Sequence, residues 1–146
     1  MKALEVFDAT WGNTEKIAQA VAAGIGGGAH ALRVGAVEAK RFEAMDLLVL
    51  GSPTLGGRPS SAMHEYVNSI PEEAGRKLPV ATFDTRLMMR FAKIFGFAAV
   101  RMADRLKDKG YTVKSTEGFF VKGRNGPLAD GELARATEWG RKLSKS

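Results

Sequence analysis

The sequence predicts a doubly wound α/β fold, in which a five-stranded parallel sheet carries helices on both faces. The first indication is that short apolar runs alternate with amphipathic segments from one end of the chain to the other. The second is the wholly apolar run 47–50, which is typical of a central strand in a parallel sheet. The third is size, because 146 residues with 45% apolar side chains suit one domain, 1–146, with a substantial core.

Five segments have the composition of strands, and they cover 3–7, 29–34, 47–50, 78–83 and 111–113. Residues 118–121 either continue the fifth strand or flank it. Each pair of successive strands is separated by enough chain for a crossover, as parallel pairing requires.

Four helices are predicted by apolar side chains that recur every three or four residues, and they cover 14–25, 60–70, 98–109 and 129–143. The first ends at three consecutive glycines, 26–28, and the second ends before Pro71, because glycine and proline stop helices. In the last helix, four side chains are expected to face inward: Leu133, Ala136, Gly140 and Leu143. A weak helical piece is expected near 37–42, and residues 84–95 are expected to be irregular.

Composition excludes several kinds of chemistry. The chain has no cysteine, so disulfides, thiolate metal sites, iron–sulfur clusters and cysteine nucleophiles are excluded. His30 and His64 have no matching partners, and no metal site is expected. No apolar run approaches the length of a membrane span and no signal peptide is evident, so we expect a cytoplasmic protein.

Charge is unevenly distributed along the chain. The formal net charge is +6, and the second half is strongly basic while the first half is slightly acidic. A basic half either attracts acidic partners or keeps a small protein soluble. No motif combines basic and aromatic side chains for base stacking, so nucleic acid is not expected as a partner.

The strand-to-helix connections are the expected location of a functional site. Right-handed crossovers place these connections at one edge of a parallel sheet, where ligands of doubly wound proteins bind. The connections after the first, third and fourth strands are therefore the candidates for a binding site.

The first connection, residues 8–14, places small and hydroxyl side chains at the start of a helix. Free backbone N–H groups and the positive end of the helix dipole suit a phosphate dianion there, without a lysine. The alternative is an ordinary helix cap by Asn13 or Thr14. The candidate phosphate ligands are Thr10, Trp11, Gly12, Asn13 and Thr14.

The second connection, residues 51–59, combines a stiff turn with two glycines. Ser52, Pro53 and Thr54 can present backbone N–H groups and a hydroxyl to a planar polar ring. Gly56 and Gly57, which follow Leu55, allow positive φ and a change of peptide orientation. The alternative is a tight turn before a helix that starts near Pro59.

The third connection begins at residues 82–86, in which Phe83 is expected to be the last strand residue. Phe83, Asp84, Thr85 and Arg86 are candidates for contact with a bound ring, with Thr85 and Arg86 at its edge. The apolar run 87–97 follows, and it suits a lid, a self-association patch or part of the core.

The run Trp11-Gly12-Asn13-Thr14 and the run Gly51-Ser52-Pro53-Thr54-Leu55-Gly56-Gly57 resemble the two flavin-binding loops of flavodoxins. The resemblance implies a strand order of 2-1-3-4-5 and bound flavin mononucleotide (FMN). It places the phosphate on residues 10–14 and the ring between 52–57 and 82–86. Two departures from the family pattern are Ala9, where a serine or threonine is usual, and Leu55, where an aromatic residue is common.

The function implied by the resemblance is one-electron transfer through FMN to redox partner proteins, for which acidic partners suit the basic half. Weak homo-oligomerisation also remains open. One alternative is an FMN-dependent NAD(P)H reductase, for which missing aromatic stackers leave space above the ring. Another is an interaction module on the same fold that has lost tight FMN binding, as Ala9 and Leu55 would allow.

Overall fold

The computed structural model describes residues 1–38, 42, 44–73, 75, 77–87 and 96–145. The strands are β1 (Ala3–Phe7), β2 (His30–Arg33), β3 (Leu47–Pro53), β4 (Pro79–Leu87) and β5 (Thr112–Val121). The α-helices within the described residues are α1 (Asn13–Ile25), α2 (Ser61–Ser69), α3 (Ala98–Asp108) and α4 (Glu132–Lys145). The strands form one sheet in the order β2-β1-β3-β4-β5, with every neighbouring pair parallel, as predicted.

The sheet separates two apolar cores. On one face, β1, β3 and β4 contribute side chains such as Val6 and Leu48 that pack with Met63 of α2 and Met102 of α3. On the other face the same strands pack against α1 and α4. Because β3 is buried at all seven positions, it lies at the centre of both cores.

Two glycines bring α1 and α4 close together. A Cβ on Gly24 would lie 2.0 Å from the carbonyl oxygen of Thr137, and a Cβ on Gly140 would lie 2.2 Å from that of Val21. Since such contacts are impossible for a larger residue, each helix backbone rests directly on the other. Trp139 of α4 then packs edge-on against Phe83, with ring centroids 6.0 Å apart.

The expected loop at residues 82–86 is part of β4, so the predicted end of this strand at Phe83 was wrong. Pairing with β5 continues to the partners Leu87 and Val121. The polar side chains in this stretch are typical of a connection, which explains the wrong prediction. Their backbone groups nevertheless form hydrogen bonds within the sheet. The fifth strand likewise runs unbroken, so residues 118–121 continue it.

Smaller differences concern the helices. A 3₁₀ turn, Val34–Ala36, precedes the helical piece predicted near 37–42, of which residues 39–41 lie outside the described part. The helix predicted from residue 129 begins at Glu132, and Leu133 points outward with 47% of its surface exposed. Ala136, Gly140 and Leu143 are buried as expected.

In the part of the chain that the structure covers, no helix combines the length and apolar character needed to cross a membrane. The predicted apolar run 87–97 falls largely on residues 88–95, which lie outside the described residues.

Candidate functional site

A cavity of about 170 Å³ opens at the carboxyl ends of β1, β3, β4 and β5. It lies at the edge that the topology predicts for a ligand, where the sheet order reverses between β1 and β3. Four chain segments supply its walls, and the lining residues are Thr10, Trp11, Asn13, Thr14, Pro53, Thr54, Leu55, Gly56, Thr85, Arg86, Leu87, Val121 and Arg124.

The start of α1 forms one wall of the cavity. Gly12 has φ of 86°, a left-handed conformation that turns the chain from β1 into the helix. Gly12 occupies the N-cap position and has no side chain with which to form a capping hydrogen bond, whereas Asn13 and Thr14 lie inside the first turn. The alternative reading of Asn13 or Thr14 as an ordinary helix cap is therefore wrong. The first-turn N–H groups and the positive end of the helix dipole face the cavity side of the fold.

A buried hydroxyl pair joins this wall to β4. Thr14 Oγ1 and Thr85 Oγ1 lie 2.8 Å apart, and both side chains are almost completely buried. Because one hydroxyl of such a pair donates to the other, one O–H hydrogen of the pair remains free to donate. The pair therefore fixes the spacing of the two walls and still offers a donor.

The hydroxyls after β3 are used internally. Ser52 Oγ donates to the carbonyl of Pro53 at 2.9 Å and accepts from the Ser60 N–H at 3.0 Å. Thr54 Oγ1 accepts from the Ala98 N–H at 3.0 Å and is hydrogen-bonded to the Asp84 carboxylate. These two side chains shape the second connection, and their hydrogen-bonding capacity is largely taken up within the protein.

A tight two-residue turn follows, between Leu55 and Arg58. The N–H of each of these residues donates to the carbonyl of the other, at 2.8 and 3.1 Å. Gly56 and Gly57 have φ of 58° and 81°, the sign pattern of a type I′ turn. The predicted positive φ is thus present at both glycines, and Arg101 Nε donates to the Gly57 carbonyl at 2.8 Å.

The end of β4 carries a buried ion pair behind the cavity wall. Arg86 donates from Nε and Nη2 to the two oxygens of Asp84 at 2.7 and 2.9 Å, and the Ala99 N–H adds a third bond at 2.9 Å. The guanidinium lies over the ring of Phe97, 3.5 Å from its centroid. It also fills the space above Gly118, where a Cβ would lie 2.2 Å from Arg86 Cζ.

The pKa of Asp84 reflects two opposed effects. Burial raises the pKa, while the hydrogen bonds and charge of Arg86, the Ala99 N–H and the Thr54 hydroxyl lower it, and the net shift is upward. Asp84 has no exposed surface, whereas Arg86 lines the cavity. The pair therefore presents its positive member to the cavity.

Ten of the fifteen predicted site residues line the cavity together. The five others lie behind it or beside it: Gly12, Ser52, Gly57, Phe83 and Asp84. Phe83 is a core residue, with no exposed surface and edge-on contacts to Phe119 and Trp139. Their predicted contact with a ligand stays a prediction, as does that of the ten lining residues.

Sequence reasoning missed three lining residues, which are Leu87, Val121 and Arg124. Leu87 and Val121 are the last paired residues of β4 and β5. The rule that placed the other connections at the carboxyl edge applies equally to the connection after β5. Applied there, it would have drawn attention to Arg124.

The lining has a consistent electrostatic character. It includes two arginines and no aspartate or glutamate, with threonine and asparagine side chains at the start of α1 and both apolar and polar side chains from the other segments. Within the described ranges, no three or more histidine, aspartate or glutamate side chains come together as a metal site would require. The cavity therefore suits an anion that carries an apolar or planar group.

No protein-family model matches the chain, and no curated protein sequence matches it. Solved structures do match over nearly its whole length. Flavodoxin 1 from Bacillus cereus has a TM-score of 0.79 at 19% identity, covering 99% of this chain and 98% of that one. A flavodoxin from the domain Archaea has a TM-score of 0.75 at 20% identity, covering 99% and 97%.

A third structure is a WrbA-like flavodoxin from Agrobacterium tumefaciens, with a TM-score of 0.70 at 16% identity, covering 98% of this chain and 94% of that one. At these identities the matches concern architecture. Together with the strand order, they show that the chain has the flavodoxin-like fold.

Proposed function

We propose that this chain, which has the fold of flavodoxins, binds FMN and transfers single electrons to other proteins. The observation that carries the proposal is the lining of the cavity at the switch in strand order. The start of α1 contributes threonine and asparagine side chains, the other segments contribute apolar side chains together with two threonines and two arginines, and no lining residue is a carboxylate.

The residues present fit FMN. A phosphate dianion suits the wall at the start of α1, where Thr10, Asn13 and Thr14 stand beside uncapped N–H groups. A flavin ring suits the apolar wall formed by side chains such as Pro53 and Leu55. When bound, the flavin would supply the redox chemistry, and the protein would supply binding and electrostatics.

The size of the cavity favours a carrier. Its volume of about 170 Å³ is below the usual range of about 300–1,000 Å³ for pockets that enclose a small molecule. Part of a mononucleotide would therefore remain outside the enclosed space. Trp11 and Leu55 line the cavity and have 42% and 39% of their surfaces exposed. They would contact the part of the mononucleotide that lies outside the enclosed space, and also an approaching protein.

The side chains of β4 and the second connection would orient the ring. Arg86 is held by Asp84 and Phe97, so it would keep a positive charge and N–H donors at a fixed place in the wall. The turn at Gly56 and Gly57 allows backbone orientations that other residues disfavour. This combination would bind the polar edge of a flavin without further side-chain hydroxyls.

The basic half of the chain suits redox partners with acidic surfaces. Their association would be fast at low ionic strength and would slow as salt is added. A cysteine-free carrier of this kind is compatible with the reducing cytoplasm, which is our proposed location.

Two other functions are each supported by one observation. Trp11 is the only aromatic side chain among the described lining residues, so a ring face would remain open to a nicotinamide, as an NAD(P)H reductase requires. The internal hydrogen bonds of Ser52 and Thr54 favour a module without tight FMN binding.

Calorimetric titration with FMN and riboflavin tests the proposal. We expect FMN to bind and riboflavin to bind much more weakly, and Thr14→Ala to weaken FMN by about 1–3 kcal/mol, the scale of a lost hydrogen bond to a charged group. Thr137→Ala is the matched control, because this exposed threonine on α4 bonds only its own helix. Absence of FMN binding would favour the interaction module.

Reduction experiments on the FMN-loaded protein separate the carrier from the reductase. We expect NADH and NADPH alone to reduce the bound flavin slowly, and a one-electron acceptor such as ferricyanide to reoxidise it quickly. Rapid reduction by either nicotinamide cofactor alone would contradict the carrier and support the reductase.

A further inference from the structure

We propose that Arg124 binds the phosphate of the ligand and thereby determines the preference for a phosphorylated over an unphosphorylated flavin. This inference rests on the proposed function. It assigns a cation to a site for which the sequence predicted only hydroxyl, amide and backbone donors.

Arg124 is held at the cavity by the connection between β5 and α4. The Lys122 N–H donates to the Pro127 carbonyl at 2.8 Å, and the Gly126 N–H donates to the Gly123 carbonyl at 3.0 Å. These bonds close residues 122–127 into a compact turn. Arg124 lies inside this turn and lines the cavity.

A close contact fixes this turn against the start of α1. Gly126 has φ of 99°, and a Cβ at this position would lie 2.7 Å from Asn13 Oδ1. The turn and the side chain of Asn13 are therefore packed together without space between them. Arg124 consequently belongs to the same wall of the cavity as Thr10 and Asn13, which is the proposed phosphate side.

The two arginines that line the cavity differ in their hydrogen-bond and ion-pair partners. Two of the three guanidinium nitrogens of Arg86 donate to Asp84, and Phe97 lies against the face of the group. Arg124 is exposed and forms no ion pair or side-chain hydrogen bond with the described residues. The neighbouring Lys122 differs again, since its ammonium lies 3.4 Å from Asp130. Arg124 is thus available for an incoming anion.

A phosphate dianion is the ligand group that this arrangement recognises best. A guanidinium can donate two parallel hydrogen bonds to two phosphate oxygens, which an ammonium cannot do in the same geometry. The buried Thr14–Thr85 pair has only one O–H hydrogen left to donate, so it can supply a single hydrogen bond to a phosphate. Arg124 would therefore supply a large part of the interaction with the phosphate.

The test is calorimetric titration of FMN and riboflavin into three variants and the wild-type protein. We expect Arg124→Gln to weaken FMN binding about 10-fold, the lower end of the range for a charged hydrogen bond because the site is exposed. Riboflavin binding should not change. Arg124→Lys should recover part of the affinity for FMN, and added salt should weaken FMN more in the wild type than in Arg124→Gln.

Lys122→Gln is the matched control. It removes one positive charge from the same turn, at a side chain that does not line the cavity. We expect it to leave the ratio of FMN to riboflavin affinity unchanged. Circular dichroism melting curves would show that all variants fold.

The outcomes distinguish the two proposals. An equal loss of FMN and riboflavin affinity in Arg124→Gln, or an equal effect of Lys122→Gln, would overturn the assignment of Arg124 while leaving the proposed function intact. Absence of FMN binding by the wild-type protein would overturn the proposed function, and the assignment with it.

Discussion

Among the residues that the structure describes, two carboxylic acids are completely buried, and they differ in their surroundings. Asp84, near the end of β4, accepts hydrogen bonds from Arg86, the Ala99 N–H and the Thr54 hydroxyl. Glu5, in the middle of β1, has no hydrogen-bond partner for either oxygen among the described residues. Burial raises the pKa of Glu5 well above its ordinary value, with no opposing effect.

The position along the strand explains the difference. At the carboxyl end of β4 the next helix begins nearby, so the free N–H at the start of α3 and a side chain from the second connection can reach Asp84. Glu5 is flanked within the sheet by Ala31 of β2 and Val49 of β3, and the backbone groups between these strands are used in the hydrogen bonds of the sheet. An acid can therefore be satisfied at the edge of this sheet far more easily than in its middle.

The largest effect is expected from removing the satisfied acid. Asp84→Ala should lower the free energy of unfolding by about 3–5 kcal/mol, because it leaves a mostly buried guanidinium without its partner. Asp84→Asn should lower it less, since one acceptor remains. Urea denaturation followed by circular dichroism measures both, and the exposed Asp104 of α3 provides the control variant Asp104→Ala. Equal stability of Asp84→Ala and wild type would contradict the network.

Removing the unsatisfied acid should have the opposite sign. Glu5→Leu should raise the free energy of unfolding by about 1–3 kcal/mol at neutral pH, because a buried polar group without partners is replaced by an apolar one of similar size. Glu5→Gln keeps a buried polar group at this position. At low pH, where the Glu5 carboxyl is uncharged too, its free energy of unfolding should therefore not exceed that of the wild type. The same urea experiment measures both, and a loss of stability in Glu5→Leu would show that Glu5 has an unrecognised partner.

The smallest effect is the pH dependence that Glu5 produces. The folded protein keeps the proton of Glu5 while the unfolded chain releases it near pH 4.5, its ordinary pKa. The free energy of unfolding should therefore fall as pH rises above this value, by at most about 1.4 kcal/mol per pH unit from this one group. In Glu5→Gln the slope should be shallower by that contribution. A parallel pH profile of the two proteins would contradict the shift.

The order of elements and the place of the site were predictable because they depend on local patterns. Apolar periodicity located the strands and helices, and the crossover rule placed residues 10–14 and 53–56 at one edge. The length of β4 was not predictable in this way. Its polar residues resemble a connection, and only the pairing of Arg86 with Asp84 and of β4 with β5 makes them part of the sheet.

Other features depend on contacts between distant segments, which a single sequence does not reveal. Leu133 fits the helical period of the last helix, but it lies in the first turn of α4 and is exposed, whereas α1 and α4 meet further along, at Gly24 and Gly140. Arg124 reaches the cavity because Gly126 packs on Asn13, 113 residues earlier in the chain. The sequence indicates that the Ser52 hydroxyl is available to a ligand, but in the fold it accepts a hydrogen bond from the distant Ser60 N–H.

The placement of the two tryptophans gives the molecule two separate optical reporters. Trp139 is buried between the rings of Phe83 and Phe119 and donates to Ser115 Oγ at 2.9 Å, so its fluorescence should respond to unfolding. Trp11 stands half-exposed at the cavity, so its emission should be the one that a bound flavin quenches. A Trp11→Phe protein would then report folding alone, and a Trp139→Phe protein would report ligand binding alone.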